Sequence, residues 1–187
     1  MLNRSFQNYF TTITKIFESI EIQSIENLIL EIKKVKANKG LIYVIGNGGS
    51  SALASHFATD LGSGSVLRGQ DFPVVSLVDN SPIITAAAND FGFEQIFARQ
   101  LVNLGNKKDL LIAISSSGNS TNLVEAILQA KKIGMKSVAI TGFDGGKISS
   151  LADVSVHIRS EIGEYGQVED VHSIILHAIS MHLRAGN

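Results

Sequence analysis

The sequence has no cysteine, no tryptophan and only two prolines among its 187 residues. Without cysteine there is no disulfide framework, no thiolate zinc site and no cysteine nucleophile, and the composition fits a reducing compartment. Pro73 and Pro82 both fall near predicted element starts, where a missing N–H is tolerated. Neither charge dominates: sixteen Lys and Arg against seventeen Asp and Glu leave a net charge of −1, so no broad basic surface argues for nucleic acid. No apolar run reaches the ~20 residues of a membrane span. Residues 1–10 are polar and mixed, unlike a signal peptide. The expected location is the cytoplasm.

What is present is a globular chain, with hydrophobic residues at 44% and charged residues at 18%. The length predicts a single domain over residues 1–187 with a sizeable core. Residues 3–20 and 23–38 carry apolar side chains at helical spacing (Phe6, Phe10, Ile13, Phe17; Ile25, Leu28, Ile32, Val35). Short apolar runs predict strands at 41–45, 73–77, 110–114, 136–141 and 154–158. Helical patterns follow at 50–62, 81–88, 93–104, 120–133, around 148–151, and 167–183, with a loop at 89–92. Strands alternating with helices predict right-handed βαβ units and a parallel sheet covered on both faces. Ligands in such sheets bind beyond the carboxyl ends of the strands, near a switch in strand order.

Two loops stand at such ends. Gly46-Asn-Gly-Gly-Ser-Ser51 follows the first strand, and Ser115-Ser-Ser-Gly-Asn-Ser120 follows the third. Free N–H groups at a helix start, with the helix dipole, favour an anion, and glycine permits close approach. The first loop is neither the dinucleotide GxGxxG nor a Walker loop, since it has no lysine. Alone, it could be a tight turn with no ligand. The second loop places four serines in six residues, and the two loops together point to phosphate.

Acid–base candidates come next. His56 and Asp60 lie four apart and share a helix face, a spacing that suits a metal or a proton transfer, or a simple surface pair. In the last helix Glu169, Ser173 and His177 form one stripe, whereas His172 and His182 are rotated away from it. A solvated face is the other reading of Glu169 and His177, weakened by the apolar neighbours Ile174, Ile175, Ala178 and Met181. Asp90, after Asn89, could cap a helix starting at Phe93 or bind sugar hydroxyls.

Taken together, these residues resemble the sugar isomerase (SIS) domain family, and within it the phosphoheptose isomerases. The matching runs are GNGGSS with ASHFATDL, then AANDFGFEQIFARQ, ISSSGNSTNLVEAI, ITGFDGGKISSLAD and VEDVHSIILHAI, which span most of the chain. The resemblance implies a three-layer flavodoxin-like domain: a five-stranded parallel sheet with helices on both faces, and N-terminal helices for oligomerisation. It implies a homotetramer with sites at subunit interfaces. It implies that Ser115, Ser116, Ser117 and Ser120 bind phosphate. Asn47, Gly48, Gly49, Ser50 and Ser51 line the sugar chain, and Asn89, Asp90 and Glu169 also contact substrate. Asp60 stands at the position of the base and His177 at that of the acid. Zinc, in some members, is held at the positions of His56, Asp60, Glu169 and His177.

The implied reaction is aldose–ketose isomerisation through an enediol, of sedoheptulose 7-phosphate to a D-glycero-D-manno-heptose 7-phosphate, in heptose and lipopolysaccharide metabolism. No nucleotide cofactor, nucleic acid or membrane is implied. The alternatives are a non-catalytic sugar-phosphate-binding adaptor and an isomerase of another phosphosugar. Three positions depart from the family pattern. Asp60 replaces Glu, Glu169 replaces Gln, and the segment Glu164-Tyr-Gly-Gln167 lacks the usual Arg.

Overall fold

The central apolar runs become strands because their side chains are covered on both sides, whereas the edge runs at 74–76 and 154–157 are only partly covered. In the computed structural model, which describes residues 2–62 and 71–186, the strands are β1 (Ile42–Gly46), β2 (Val74–Ser76), β3 (Leu110–Ser115), β4 (Lys136–Thr141) and β5 (Val154–His157). They form one parallel sheet in the order β2-β1-β3-β4-β5, with Ile42 in register with both Val74 and Leu110. This is the flavodoxin-like order. The chain winds one way from β1 to β2, then crosses back to β3, so the switch lies between β1 and β3. Both Ser/Gly loops leave the sheet there.

The helices are α1 (Leu2–Glu18), α2 (Ile22–Ala37), α3 (Gly49–Gly62), α4 (Ser81–Phe91), α5 (Ala98–Leu104), α6 (Thr121–Ile133), α7 (Gly146–Leu151) and α8 (Tyr165–Arg184). Successive strand residues point to opposite faces, and the core divides accordingly. Ile42, Val44, Ile112 and Ile140 pack with Leu28, Phe57 and Ile175, which belong to α2, α3 and α8. Tyr43, Ile45, Leu111 and Ala139 pack with Leu101, Leu123 and Ile148, which belong to α5, α6 and α7. The helices after the two loops therefore leave on opposite faces.

Two expectations are corrected. Residues 89–92 are not a loop: α4 is capped by Asn80, whose Oδ1 accepts from the Ile83 N–H at 3.2 Å, and runs through Asn89 and Asp90 to Phe91. Gly92, at φ 93°, ends it, so Asp90 caps nothing. Nor is 93–104 one helix. A 3-10 turn, Phe93–Gln95, precedes α5, and between them Ile96 and Phe97 are buried in the core.

Helix α1 is fastened to α8 by Tyr9, whose hydroxyl donates to Asp170 Oδ2 at 2.7 Å. Burial and that carboxylate push the Tyr9 phenol up to about 12. The far side of α1 leaves Leu2 74% and Phe10 61% exposed, with Phe6 and Phe17 also outside. No described helix is long and apolar enough to cross a membrane.

Candidate functional site

The second loop is organised by its own serines and by a second glycine turn. Ser115 Oγ accepts from the Gly118 N–H at 3.0 Å, and Ser117 Oγ accepts from the Asn119 N–H at 3.3 Å. The Ile148 N–H donates to Gly118 O at 3.0 Å, and the Lys147 N–H to Asn119 Oδ1 at 3.1 Å. The approach is close enough to need glycine on both sides. A Cβ on Gly118, at φ +63°, would sit 2.1 Å from Gly145 O, and one on Gly146, at φ +56°, 2.3 Å from Ser117 O. Two hydroxyls are left over. Ser116 Oγ is buried and makes no hydrogen bond. Ser120 is the N-cap of α6, yet its side chain makes no capping bond. A buried hydroxyl without a partner and an open helix start both suit a bound anion.

The first loop turns through Gly48 at φ +54° into α3. Asn47 and the buried Asn122 of α6 bond to one another, joining the two loops. Ser50 is buried and Ser51 half-buried. Glu169 of α8 lies against Gly49, where a Cβ would fall 2.2 Å from Glu169 Oε2. A carboxylate at the start of α3 is favoured by the helix dipole.

Farther along, α3 and α8 bring His56, Asp60 and His177 together. His56 Nε2 and His177 Nε2 are 3.1 Å apart, with the rings edge to face. Asp60 Oδ2 is 3.8 Å from each of these nitrogens. The three donor atoms lie within 4.8 Å of one another. Zinc accepts imidazole and carboxylate donors, and tetrahedral bonds of ~2.0–2.1 Å would separate two nitrogens by roughly 3.3 Å. The residues present therefore fit such a cation. Glu169 does not join them. It precedes His177 by eight residues, about 12 Å along the helix axis, so a shared face places it at the first loop instead.

The other expected residues lie elsewhere. Asn89 Nδ2 donates to Asp90 Oδ1 at 2.8 Å on the exposed last turn of α4. His172 is fully buried, and neither ring nitrogen makes a hydrogen bond. Desolvation pushes it down to about 4, against a smaller upward pull from the Thr141 backbone. His182 lines an apolar groove between α2 and α8 with Ile22 and Ile25.

One neighbour of the cluster went unforeseen. Arg184 Nη2 donates to the Asp60 carbonyl at 2.8 Å and pairs with Asp60 Oδ1 at 3.0 Å. Its place seven residues after His177, on the same helix face, is the signal that could have found it.

Residues 5–142 match the family model described as "SIS domain". The chain is 35% identical over 179 residues to a phosphoheptose isomerase of Helicobacter pylori (strain P12), covering 96% of this chain and 92% of that protein. It is 44% identical over 140 residues to a phosphoheptose isomerase of Cytophaga hutchinsonii, covering 75% of this chain and 72% of that protein. Among solved structures, phosphoheptose isomerase from Neisseria gonorrhoeae superposes with a TM-score of 0.88 at 30% identity, covering 99% of this chain and 100% of that one.

Proposed function

The chain belongs to the SIS domain family, and on that premise we propose that it interconverts sedoheptulose 7-phosphate and D-glycero-D-manno-heptose 7-phosphate. The observation that carries the reading is the meeting of Asp60 Oδ2 and His177 Nε2 at 3.8 Å, from two different helices, in a fold whose anion loops lie at the strand switch. A carboxylate and an imidazole so placed can move a proton between adjacent carbons. In this reading Ser115, Ser116, Ser117 and Ser120 hold the phosphate. Asn47, Gly48, Gly49, Ser50 and Ser51 line the sugar chain, with Glu169 above Gly49.

Asp60 takes the proton from C1 of the ketose, and those electrons form the C1–C2 double bond of the enediol. His177 gives a proton to the carbonyl oxygen at C2. Return of the carbon-bound proton to C2, with loss of the O1 proton, completes the aldose. Zinc held by His56, Asp60 and His177 would occupy the His177 Nε2 and would supply a Lewis acid for the C2 oxygen in place of that proton.

The exposed apolar side of α1 supports burial in a homo-oligomer, which we take to be a tetramer. Asn89 and Asp90 would then meet sugar hydroxyls at a subunit contact. The cytoplasm, and supply of heptose for surface polysaccharide such as lipopolysaccharide, belong to the same proposal.

The experiment is conversion of sedoheptulose 7-phosphate, followed by NMR, with Asp60→Asn beside the wild type. Loss of a general base lowers kcat by about 100-fold or more. Full activity in Asp60→Asn would sink the assignment of the base. Tight binding by the zinc-supplied wild type without turnover would replace the enzyme with a sugar-phosphate-binding module.

A further inference from the structure

Arg184 takes no part in the chemistry above, yet it contacts the proposed base twice. One nitrogen, Nη2, bonds both the Asp60 carbonyl and Asp60 Oδ1. The Arg184 side chain is only 26% exposed, and its Nε is buried without a partner, so the guanidinium is lodged between helices rather than reaching into solvent.

The consequence for Asp60 is rotational. The terminal torsion of an aspartate is broad and two-fold, so its two oxygens are otherwise interchangeable. With Oδ1 taken by a charge-assisted bond, Oδ2 is the oxygen that faces His56 and His177. The second contact fixes the Arg184 head itself. The Asp60 carbonyl is among the last four of α3, which have no partner within the helix. A cation at that end is also favoured by the helix dipole. Arg184 and His177 lie on the same helix, so the pair ties the α8 half of the cluster to the α3 half.

We propose that Arg184 is a positioning residue that holds the Asp60 carboxylate so that Oδ2 is presented to the two histidines and to whatever they bind. The inference rests on Asp60 serving as ligand and base. It does not make Arg184 a catalytic residue, because it reaches the site only through Asp60.

The test uses the full-length protein with Arg184→Met and Arg184→Lys. Zinc affinity of the metal-stripped protein is measured first, then kcat and KM for sedoheptulose 7-phosphate. Loss of an outer-shell partner predicts zinc affinity about 10-fold weaker in Arg184→Met. Because Arg184 does not touch the sugar, kcat should fall about 10-fold while KM stays within about 2-fold. Arg184→Lys, which keeps a cationic donor, should recover part of both. On an Asp60→Asn background, Arg184→Met should change zinc affinity no further.

Circular dichroism and a thermal melt establish that each variant is folded. Should Arg184→Met not fold, Arg184→Lys and Arg184→Gln carry the measurement. Zinc bound as tightly as in the wild type, or more tightly, by a folded charge-removing variant would overturn the proposal. A wild type that binds zinc but leaves the sugar unchanged would overturn the isomerase reading instead, and the zinc titration would still decide the role of Arg184.

Discussion

Asn47 and Asn122 exchange two hydrogen bonds, each Nδ2 donating to the other's Oδ1 at 2.9 Å. Asn47 directly follows β1 and Asn122 lies in the first turn of α6, so a reciprocal amide pair joins the chain after β1 to the helix after β3. The two loops cannot drift apart without breaking both bonds.

Replacing either partner strands the other's amide, which is buried at Asn122 and half-buried at Asn47. Asn122→Ala should cost about 1–3 kcal/mol in a urea titration, because Asn47 loses both its donor and its acceptor. Asn47→Ala should cost a similar amount, and the double variant less than the sum. Additive losses would mean that the pair contributes little as a unit.

The hydroxyls of the second loop should separate binding from stability. Ser120 makes no capping bond, so Ser120→Ala should leave the melting temperature nearly unchanged. Losing one hydrogen bond to a charged phosphate should raise KM about 10-fold or more. Gly118→Ala should do the reverse of the first effect. Its Cβ would collide with Gly145 O at a positive φ, and the thermal melt should drop before binding can be measured.

Acid should weaken the fold through His172. Burial pushes its pKa from the usual 6.5 down to about 4, so the unfolded chain binds a proton that the native state refuses. The stability of the neutral ring is fully present above pH 6.5 and is lost as pH falls toward 4. At about 1.4 kcal/mol per pH unit, roughly 2 kcal/mol is gone at pH 5. His172→Leu removes the titrating ring, and its urea midpoint should change less between pH 8 and pH 5. Equal pH dependence in the two proteins would refute this account.

The outer side of α1 should govern assembly. Phe6→Ser with Phe10→Ser removes two exposed rings, and light scattering after gel filtration should show a smaller species with an intact circular dichroism spectrum. An unchanged mass would place the subunit contact elsewhere.

Much of this architecture was legible in the residues. The run Leu110–Ser115 is apolar because β3 sits between β1 and β4 and is buried on both faces. Strand–loop–helix punctuation at Gly46 and Ser115 located the two turns that leave the sheet at the strand switch. The misses have physical causes. Asn89, Asp90 and Gly92 have turn chemistry, but only Gly92 adopts the positive φ that stops a helix. Phe93 to Leu104 has helical spacing, but its first turn is tightened to a 3-10 turn over Phe93–Gln95 and the α-helix starts only at Ala98. Glu169 and His177 share a stripe, which spacing reveals, but the axial distance between them decides what each can touch. The link from Asp60 to Arg184 spans 124 residues, and its one local trace is the seven-residue spacing of Arg184 from His177 on one helix face.

The glycines that press the second loop against the Gly142–Lys147 turn also bear on how this fold can diversify. Any side chain at Gly118 or Gly146 would strike main chain rather than a movable side chain. That end of the crevice is closed to mutational drift. His56 and His177, about half exposed at the other end, border open space. Side-chain change is therefore freer there, beside a glycine-held turn that stays the same.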